Sequence, residues 1–426
     1  MKRAKKWALC ILTALLLTGC ANGNVNVQKP NAQVDPAPKT IIHYYDSSDS
    51  AQIAGKAVEA FNAQSSTTEV VLHLIDNEQY DAEIARIIRE GTMPVDCFYI
   101  RQPCQVNQYS SEGMLMDLTA FVSSSGLDPA SYGQTLDIIT IVDTIPALPR
   151  TKSVWLLFYN RDIFDKYGLP EPSNLTWDEY TQLAKRLTLV KEDGSVQYGG
   201  YIPPWTLNIG GVTAGEYLYD DELPYTKRYV ELLNQWYNVD KTHPDIKQME
   251  GPYSLPNNVF LDQKAATMVN GDWVVYLFQN AYAHRSKTFR WGIATLPVFP
   301  DVPKGTSIGN CSYLAVSNSS QKKDNAFEFI SYFCGASAAD MLADLPTCSA
   351  YYTEQSAERY QKNAGVPGAQ YVFDSFVRNE EGAFIRYREL NLAFKECMIE
   401  YLKGSVTLDA AFQNYEDKRM PILKDK

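Results

Sequence analysis

The sequence predicts an α/β fold, and three observations support this expectation. Short apolar strands alternate with amphipathic helical patterns between residues 41 and 100. A second buried strand pattern at 155–159 is followed by two further helical patterns. The chain has 426 residues, a length that suggests two domains rather than one. We therefore expect strands and helices that share layers, distributed over two domains.

The N-terminus has the pattern of a bacterial lipoprotein signal peptide. Residues 2–6 carry four basic side chains, and the apolar run 7–17 is too short to span a bilayer comfortably. Leu17, Thr18 and Gly19 then precede Cys20, an order that predicts cleavage before Cys20 and diacylation of its thiol. An ordinary signal peptide is the alternative. Residues 20–39, rich in Asn, Gln, Val and Pro, predict a flexible tether, so we expect a lipid-anchored protein facing the extracytoplasmic side.

The charge of the chain argues against a nucleic-acid partner. Without residues 1–19, 35 Lys and Arg face 50 Asp and Glu, which gives a net charge of −15. Proteins that bind nucleic acids or anionic membrane surfaces through charge normally have the opposite sign.

The folded part begins at Thr40 with a β-α-β-α-β pattern. Residues 41–45, 69–75 and 95–100 predict strands, and Gly91 predicts the end of the second helix. This order predicts a parallel sheet with right-handed crossovers. No G-x-G-x-x-G follows the first strand, so a dinucleotide-binding fold is not supported. The apolar faces of the two helices consist of Ile53, Ala57 and Phe61 in the first and Tyr80, Ile84, Ile87 and Ile88 in the second.

The stretch 155–188 contains the clearest local signals. A continuous apolar and aromatic run at 155–159 predicts a buried strand, and Gly168 ends the short helix that follows it. Thr176 and Glu179 form the pattern of a capping box, in which each side chain accepts a backbone hydrogen bond at the start of the next helix.

Residues with reactive or metal-binding side chains do not form a catalytic pattern. Six cysteines beyond the anchor are expected to be mostly buried thiols, with Cys97–Cys104 or Cys334–Cys348 disulfides as alternatives. No metal or cofactor motif occurs, and we predict no cofactor. The adjacent acids at 220–222 and at Glu380 and Glu381 are interpreted as solvated loops rather than as a glycosidase pair.

Several segments, taken in order, resemble the bacterial extracellular solute-binding proteins of family 1, the maltose-binding-protein-like receptors of ABC importers. The similarity extends over nearly all of residues 40–420 and includes a Y-N-x-D-I-F element, a G-L-P step and a T-W-D-E helix start. The matching residues include Gly91, Pro94, Asp96, Phe98, Tyr99, Gly113, Leu115, Asp117, Tyr159, Asn160, Asp162, Phe164, Gly168, Pro170, Thr176, Trp177, Glu179, Lys264, Ala265, Gly271, Trp273, Trp291, Gly292 and Pro297.

The resemblance implies a two-lobe periplasmic-binding-protein-like (type II) fold with a ligand cleft between the lobes. The N-terminal lobe is expected to hold 40–156 plus 293–345, and the C-terminal lobe 157–292 plus 346–426. The implied function is capture of a carbohydrate, in particular an oligosaccharide, through closure of the lobes. The implied partners are that small-molecule carbohydrate and an ABC permease in the membrane, and we expect a monomer without enzymatic activity.

Candidate ligand-binding residues combine rings that can stack on sugars with polar groups that can bind hydroxyls. The family places sugar-stacking rings at the positions of Trp205 and Trp273 and a ligand contact at Tyr45 and Asp46. Arg101 follows the third strand and can bind two hydroxyls or a carboxylate. The remaining candidates lie beside Trp205 and at the second junction between the lobes: Asn208, Asn310 and Tyr313.

Three alternatives remain open from the sequence. The same fold could hold a peptide, a polyamine or a phosphoester. An extracytoplasmic glycan-active enzyme would place two carboxylates roughly 5–10 Å apart in the cleft. A sensory receptor would bind the same ligand without transport.

Overall fold

The structure is a computed structural model that describes residues 38–250, 256–285, 288–382 and 384–424. The predicted signal peptide, Cys20 and almost all of the tether lie outside these residues. The strands are β1 Thr40–Ser47, β2 Thr68–Ile75, β3 Cys97–Ile100, β4 Leu148–Lys152, β5 Trp155–Asn160, β6 Leu189–Val190, β7 Val196–Gln197, β8 Thr267–Gly271, β9 Trp291–Ala294, β10 Thr306–Gly309, β11 Cys311–Val316 and β12 Phe376–Asn379.

Helices cover much of the remaining described chain. In order they are α1 Ala51–Gln64, α2 Tyr80–Glu90, α3 Pro103–Ser111, α4 Thr119–Ser125, α5 Gln134–Asp137, α6 Arg161–Lys166, α7 Trp177–Leu187, α8 Ile209–Ala214, α9 Pro224–Asn234, α10 Ile246–Met249, α11 Pro256–Leu261, α12 Trp273–Ala283, α13 Lys323–Cys334, α14 Ala336–Ala343, α15 Glu354–Ala364, α16 Tyr371–Asp374, α17 Tyr387–Leu402 and α18 Leu408–Lys424. Short 3-10 turns occupy Ser48–Ser50 and Pro129–Tyr132, and Gln235–Val239 is a π-helical turn.

The first sheet has five strands in the order β2-β1-β3-β11-β4. β1 runs parallel to β2 and β3, which confirms the predicted β-α-β-α-β order. The sheet is mixed rather than wholly parallel, because β11 pairs antiparallel with both β3 and β4. β11 returns from the other lobe and enters the sheet from the opposite direction, whereas β4 runs in the same direction as β1, β2 and β3.

The second sheet is small and lies in a different hydrophobic core. β5 is its central strand and pairs antiparallel with β8 and β9. The chain leaves the first sheet after Lys152 and joins this sheet at Trp155, so the change of sheet occurs at Ser153 and Val154.

β10 and β11 follow one another in the chain but belong to different sheets. β10 pairs with β12, whereas β11 belongs to the five-stranded sheet, and Asn310 stands between them. Its side-chain oxygen accepts a hydrogen bond from the Cys311 amide at 2.9 Å. Its carbonyl accepts one from the Ser153 amide at 2.8 Å, so the two crossing segments are bonded to each other. The backbone groups of Asn310 thus form hydrogen bonds with the other crossing segment and do not continue a strand.

Two hydrophobic cores define the two lobes. One is built mainly from 42–148 and 311–351, and the other from 154–308 and 343–415. The strands change sheet near 153 and 310, whereas the sequence predicted lobe boundaries at 156 and 293. The two cores identify the lobes, and the lobe boundaries remain a prediction.

Local predictions from the sequence are confirmed at several places. Thr176 and Glu179 form both bonds of the capping box at the start of α7. Gly91 ends α2 in the left-handed conformation, with φ of 62°. Cys97, Cys104, Cys311, Cys334, Cys348 and Cys397 are buried free thiols, so neither alternative disulfide is formed.

Candidate functional site

The crossing segments form the common wall of two cavities. The first cavity, of about 420 Å³, is lined by 49–53, Tyr99 and Arg101 at the carboxyl ends of β1 and β3, and by Asp272 and the start of α12. We call it the Trp273 cavity. A second cavity, of about 650 Å³, shares Lys152, Ser153, Asn310 and Cys311 with the first, and we call it the Arg378 cavity. Ligands of open α/β sheets bind at the carboxyl ends of strands, which favours the Trp273 cavity as the ligand site.

Trp273 presents a large aromatic surface to this cavity. Its side chain is 39% exposed although it opens α12 beside the core. The ring packs edge-on against the buried Trp155, with ring centroids 5.5 Å apart and an interplanar angle of 90°. It lies so close to Gly271 that a Cβ there would come within 1.8 Å of the indole. Trp155 and Gly271 therefore fix the orientation of a ring that remains accessible to a ligand.

Arg101 lines the same cavity, but its guanidinium group already binds neighbouring side chains of the protein. Its Nε donates to Asp81 at 3.1 Å, and one Nη lies 3.4 Å from Asp49. The other Nη donates to Ser47 at 2.7 Å and to Asn77 at 2.9 Å. A ligand carboxylate at Arg101 would have to displace these groups, so the structure favours a role in holding the cavity wall.

Asp272 is a buried carboxyl next to Trp273. Burial raises the pKa of Asp272 to about 7, against the smaller opposing effects of the Val154 amide and of Lys152. Its Oδ1 accepts the Val154 amide at 2.9 Å, so this side chain connects the first crossing segment to α12. Because this carboxyl is hydrogen-bonded to the backbone, we infer that it stabilises the wall of the cavity and does not contact the ligand directly.

Three predicted site residues lie in the packed interior instead of lining either cavity. Tyr45 is buried with its ring stacked on His73, 4.5 Å between centroids. Asp46 is buried in an ion pair with Arg150 at 2.7 Å. Tyr313 is buried and donates its hydroxyl hydrogen to the Thr135 carbonyl at 3.2 Å. Their positions near strand ends suggested access to the cleft. Tyr45 and Asp46 point to opposite faces of β1, but the sheet is covered on both faces at this point, so both side chains are buried, as is Tyr313 on β11.

The other predicted residues divide between the cleft and the second core. Asn310 lines both cavities. Trp205 is 37% exposed but lines neither of them. Asn208 is buried and donates to the Tyr387 hydroxyl at 3.3 Å. The structure thus brings Arg101, Trp273 and Asn310 together around one cavity.

Glu380 and Glu381 were interpreted from the sequence as a solvated loop, and the structure corrects this interpretation. Glu381 is buried, and Glu380 accepts hydrogen bonds from the Trp155 indole at 3.2 Å and from the Thr206 hydroxyl at 3.1 Å. Burial, reinforced by the neighbouring Glu380, raises the pKa of Glu381 to about 8. Nothing in the local sequence indicates this burial, because it results from residues far away in the chain.

The raised pKa of Glu381 predicts a pH-dependent stability. The folded protein keeps this carboxyl protonated up to about pH 8, whereas an exposed Glu ionises near pH 4.5. The free energy of unfolding is therefore expected to decrease as the pH rises between these values. Glu381→Gln, which keeps a neutral side chain, is expected to be more stable than the parent at pH 8.5, by about 1 kcal/mol or more, and similar at pH 4.5. Denaturant unfolding of both proteins at pH 4.5 and pH 8.5 measures the difference in unfolding free energy. The same difference at both pH values would contradict the prediction.

Contacts between the lobes cross the cleft beside the Trp273 cavity. Arg388 of α17 forms an ion pair with Asp81 of α2 at 3.0 Å. Gln102 donates to Glu381 through a short hydrogen bond, and the Cys104 thiol lies 3.4 Å from the same carboxyl. These contacts join the first lobe to the second and stabilise the arrangement of lobes that the structure has.

Removing the ion pair across the cleft is expected to favour a more open arrangement. Arg388→Ala removes one contact between the lobes, and exposed pairs contribute about 0.2–1 kcal/mol, so the equilibrium should shift by about fivefold at most. Small-angle X-ray scattering of the ligand-free protein should then give a larger radius of gyration. Arg359→Ala, which breaks a similarly exposed pair with Asp344, is the control. A radius of gyration that equals the control's would contradict the prediction.

Neither a metal centre nor a membrane span is found in the part of the chain that the structure describes. No group of three or more His, Cys, Asp or Glu side chains there could hold a metal ion. No helix among those residues has the length and apolar character needed to cross a bilayer.

Comparison with solved structures shows the same fold in sugar-binding proteins. A sugar transporter from Rhizobium etli, in an open conformation, matches with a TM-score of 0.79 at 22% identity, over 89% of this chain and 98% of its own. An ABC substrate-binding protein from Listeria monocytogenes in complex with cycloalternan gives 0.77 at 22% identity, over 89% and 98%. The sugar-binding protein MalE from Xanthomonas citri gives 0.72 at 18% identity, over 91% and 98%. These similarities establish the two-lobe fold.

The sequence itself matches a known family over most of its length. The profile of the bacterial extracellular solute-binding proteins matches residues 46–340, which include four of the five strands of the first sheet, both crossing segments and Trp273. The family is extracytoplasmic and consists of binding proteins. The chain belongs to the bacterial extracellular solute-binding protein family.

Proposed function

We propose that this protein binds a carbohydrate, in particular an oligosaccharide, in the Trp273 cavity and delivers it to an ABC importer. The observation that carries the proposal is the half-exposed Trp273 ring, held edge-on by Trp155 in a cavity between the lobes. Pyranose rings have apolar C–H faces that pack on aromatic rings, and their hydroxyls bind polar side chains. Lys152, Ser153 and Asn310 supply such polar groups beside the ring.

Binding proceeds by capture and closure. A ligand seated on Trp273 would contact one lobe through α12 and the other through residues 49–53. A ligand that contacts both lobes favours the closed arrangement, because it interacts with that arrangement more strongly. The crossing segments near 153 and 310 would act as hinges for this movement. This binding needs no covalent step. Asp272 and Arg101 are hydrogen-bonded to other protein groups in the cavity wall, which agrees with a binding role.

The membrane arrangement follows from the N-terminal pattern and from the family. We propose that Cys20 carries the lipid anchor, that residues 20–39 form the tether, and that a membrane permease receives the ligand from the closed form. We propose that the protein acts as a monomer. Mass spectrometry of the mature protein tests the anchor: a diacylated Cys20 supports it, and an unmodified N-terminus contradicts it.

The similar structures support sugar over other solutes. Those from Rhizobium etli and Xanthomonas citri are described as sugar proteins, and the one from Listeria monocytogenes holds cycloalternan. Peptides, polyamines and phosphoesters are the competing ligand classes in the same fold. A thermal-shift screen that includes all of these distinguishes them, since a ligand of the native state raises the melting temperature.

A further inference from the structure

The Arg378 cavity is larger than the Trp273 cavity and has no role in the proposed sugar binding. Its wall comes from both lobes: residues 132–138 and Lys152 on one side, Tyr217 and residues 375–379 on the other. Phe376 is 53% exposed there. Tyr217 stacks on Tyr219 with centroids 5.4 Å apart and an interplanar angle of 9°. The cavity thus has aromatic surfaces next to polar and charged groups.

Arg378 is held in this cavity with most of its hydrogen-bonding capacity unused. Its Nε donates to the Thr213 carbonyl at 3.2 Å, and its guanidinium carbon lies 5.4 Å from the centroid of Phe376. The side chain also packs against Gly215, where a Cβ would lie 3.5 Å from Nη1. Among the residues that the structure describes, neither Nη atom has a hydrogen-bond acceptor. The guanidinium is therefore oriented by the protein while its fork of N–H groups stays available.

The positive charge in this cavity is not neutralised by neighbouring carboxylates. Within the described residues, no carboxylate lies within ion-pair distance of Arg378 or of Lys152. The ammonium of Lys152 lies 6.0 Å from the ring centroid of Tyr352 and 5.9 Å from that of Phe373. The one acidic residue in the lining is Asp137, which is exposed. Two cations with one exposed acid make this cavity positive in a protein with a net negative charge.

We propose that the Arg378 cavity is a second binding site, which takes a small anion bearing a carboxylate or phosphate group. The Nη groups of Arg378 provide the paired donors that planar or tetrahedral oxyanions accept, and Lys152 adds a second positive charge. Phe376 and Tyr217 give an apolar body of the ligand a surface to pack on. The site shares Lys152 with the sugar site but is distinct from it, because Arg378, Phe376 and Tyr217 line only this cavity.

Isothermal titration at low ionic strength tests the proposal, with inorganic phosphate and benzoate as probes. We expect saturable binding of at least one of them with a Kd of about 1 mM or lower, and a loss of tenfold or more in Arg378→Gln. Binding of phosphate alone would assign a phosphate-bearing ligand, and binding of benzoate alone a carboxylate with an apolar body. Lys152→Gln is expected to weaken binding as well.

The control is Arg228→Gln, which removes the same charge from α9 and lines neither cavity. Equal weakening in Arg228→Gln and Arg378→Gln would reveal an adventitious ion only and overturn the proposal. Absence of saturable binding for both probes would also overturn it. Sugar binding by Arg378→Gln is expected to match the parent, so failure of this proposal and failure of the proposed sugar function give different results.

Discussion

Replacing Arg150 by glutamine is expected to lower the free energy of unfolding by about 3–5 kcal/mol. Arg150 is fully enclosed in the first lobe and pairs with the buried Asp46 at 2.7 Å. Its guanidinium carbon also lies 4.1 Å from the centroid of the Tyr99 ring. Glutamine cannot neutralise Asp46, so the variant would leave a charge in the interior without its partner. Urea unfolding followed by circular dichroism measures the effect.

Two further variants separate the ion pair from the loss of packing. Arg359→Gln breaks an exposed pair with Asp344 and is expected to cost about 1 kcal/mol or less. Combining Arg150→Gln with Asp46→Asn removes both charges and should recover part of the loss, because no unpaired charge remains. A cost for Arg150→Gln no larger than that for Arg359→Gln would show that the buried pair contributes little to the fold.

Replacing Trp273 by alanine is expected to weaken binding of the sugar ligand by about 30-fold or more, since buried aromatic contacts at the centre of an interface contribute about 2 kcal/mol or more. The indole offers the largest exposed ring of the cavity and is preoriented by Trp155. Alanine would remove the stacking surface and leave α12 in place. Titration calorimetry with the best glycan from the screen measures the change in Kd.

The conservative variant Trp273→Phe keeps an aromatic face and is expected to lose less than half of the binding free energy that alanine loses. The melting temperature of the ligand-free variants provides the control, because Trp273 contributes to packing through its edge contact with Trp155. An unchanged Kd in a folded Trp273→Ala protein would place the sugar outside this cavity.

Much of the fold could be predicted because its signals are local. The alternation of strands and helices up to Ile100, the capping box at Thr176 and Glu179, and the helix end at Gly91 depend on residues close in sequence. The antiparallel entry of β11 into the first sheet could not be predicted in this way. It depends on the crossing between the lobes, which brings together segments far apart in the chain.

The candidate site was harder to predict than the fold. Trp273, Arg101 and Asn310 line one cavity, but Tyr45 and Tyr313 face the core, since sequence position near a strand end does not determine which face a side chain occupies. Glu381 was missed because its burial comes from Gln102 and Cys104, more than 270 positions away in the chain. Lys152 was missed because it lies on a crossing strand whose pattern gives no sign of a cavity.

The most direct test of the account is a thermal-shift and product analysis of the purified protein with oligosaccharides, monosaccharides, peptides and polyamines. We expect one oligosaccharide to raise the melting temperature at saturating concentration and to be recovered chemically unchanged. Stabilisation by peptides or polyamines alone would agree with the fold assignment but contradict the proposal of a carbohydrate ligand. Cleavage of the glycan by the protein would contradict the assignment as a binding protein.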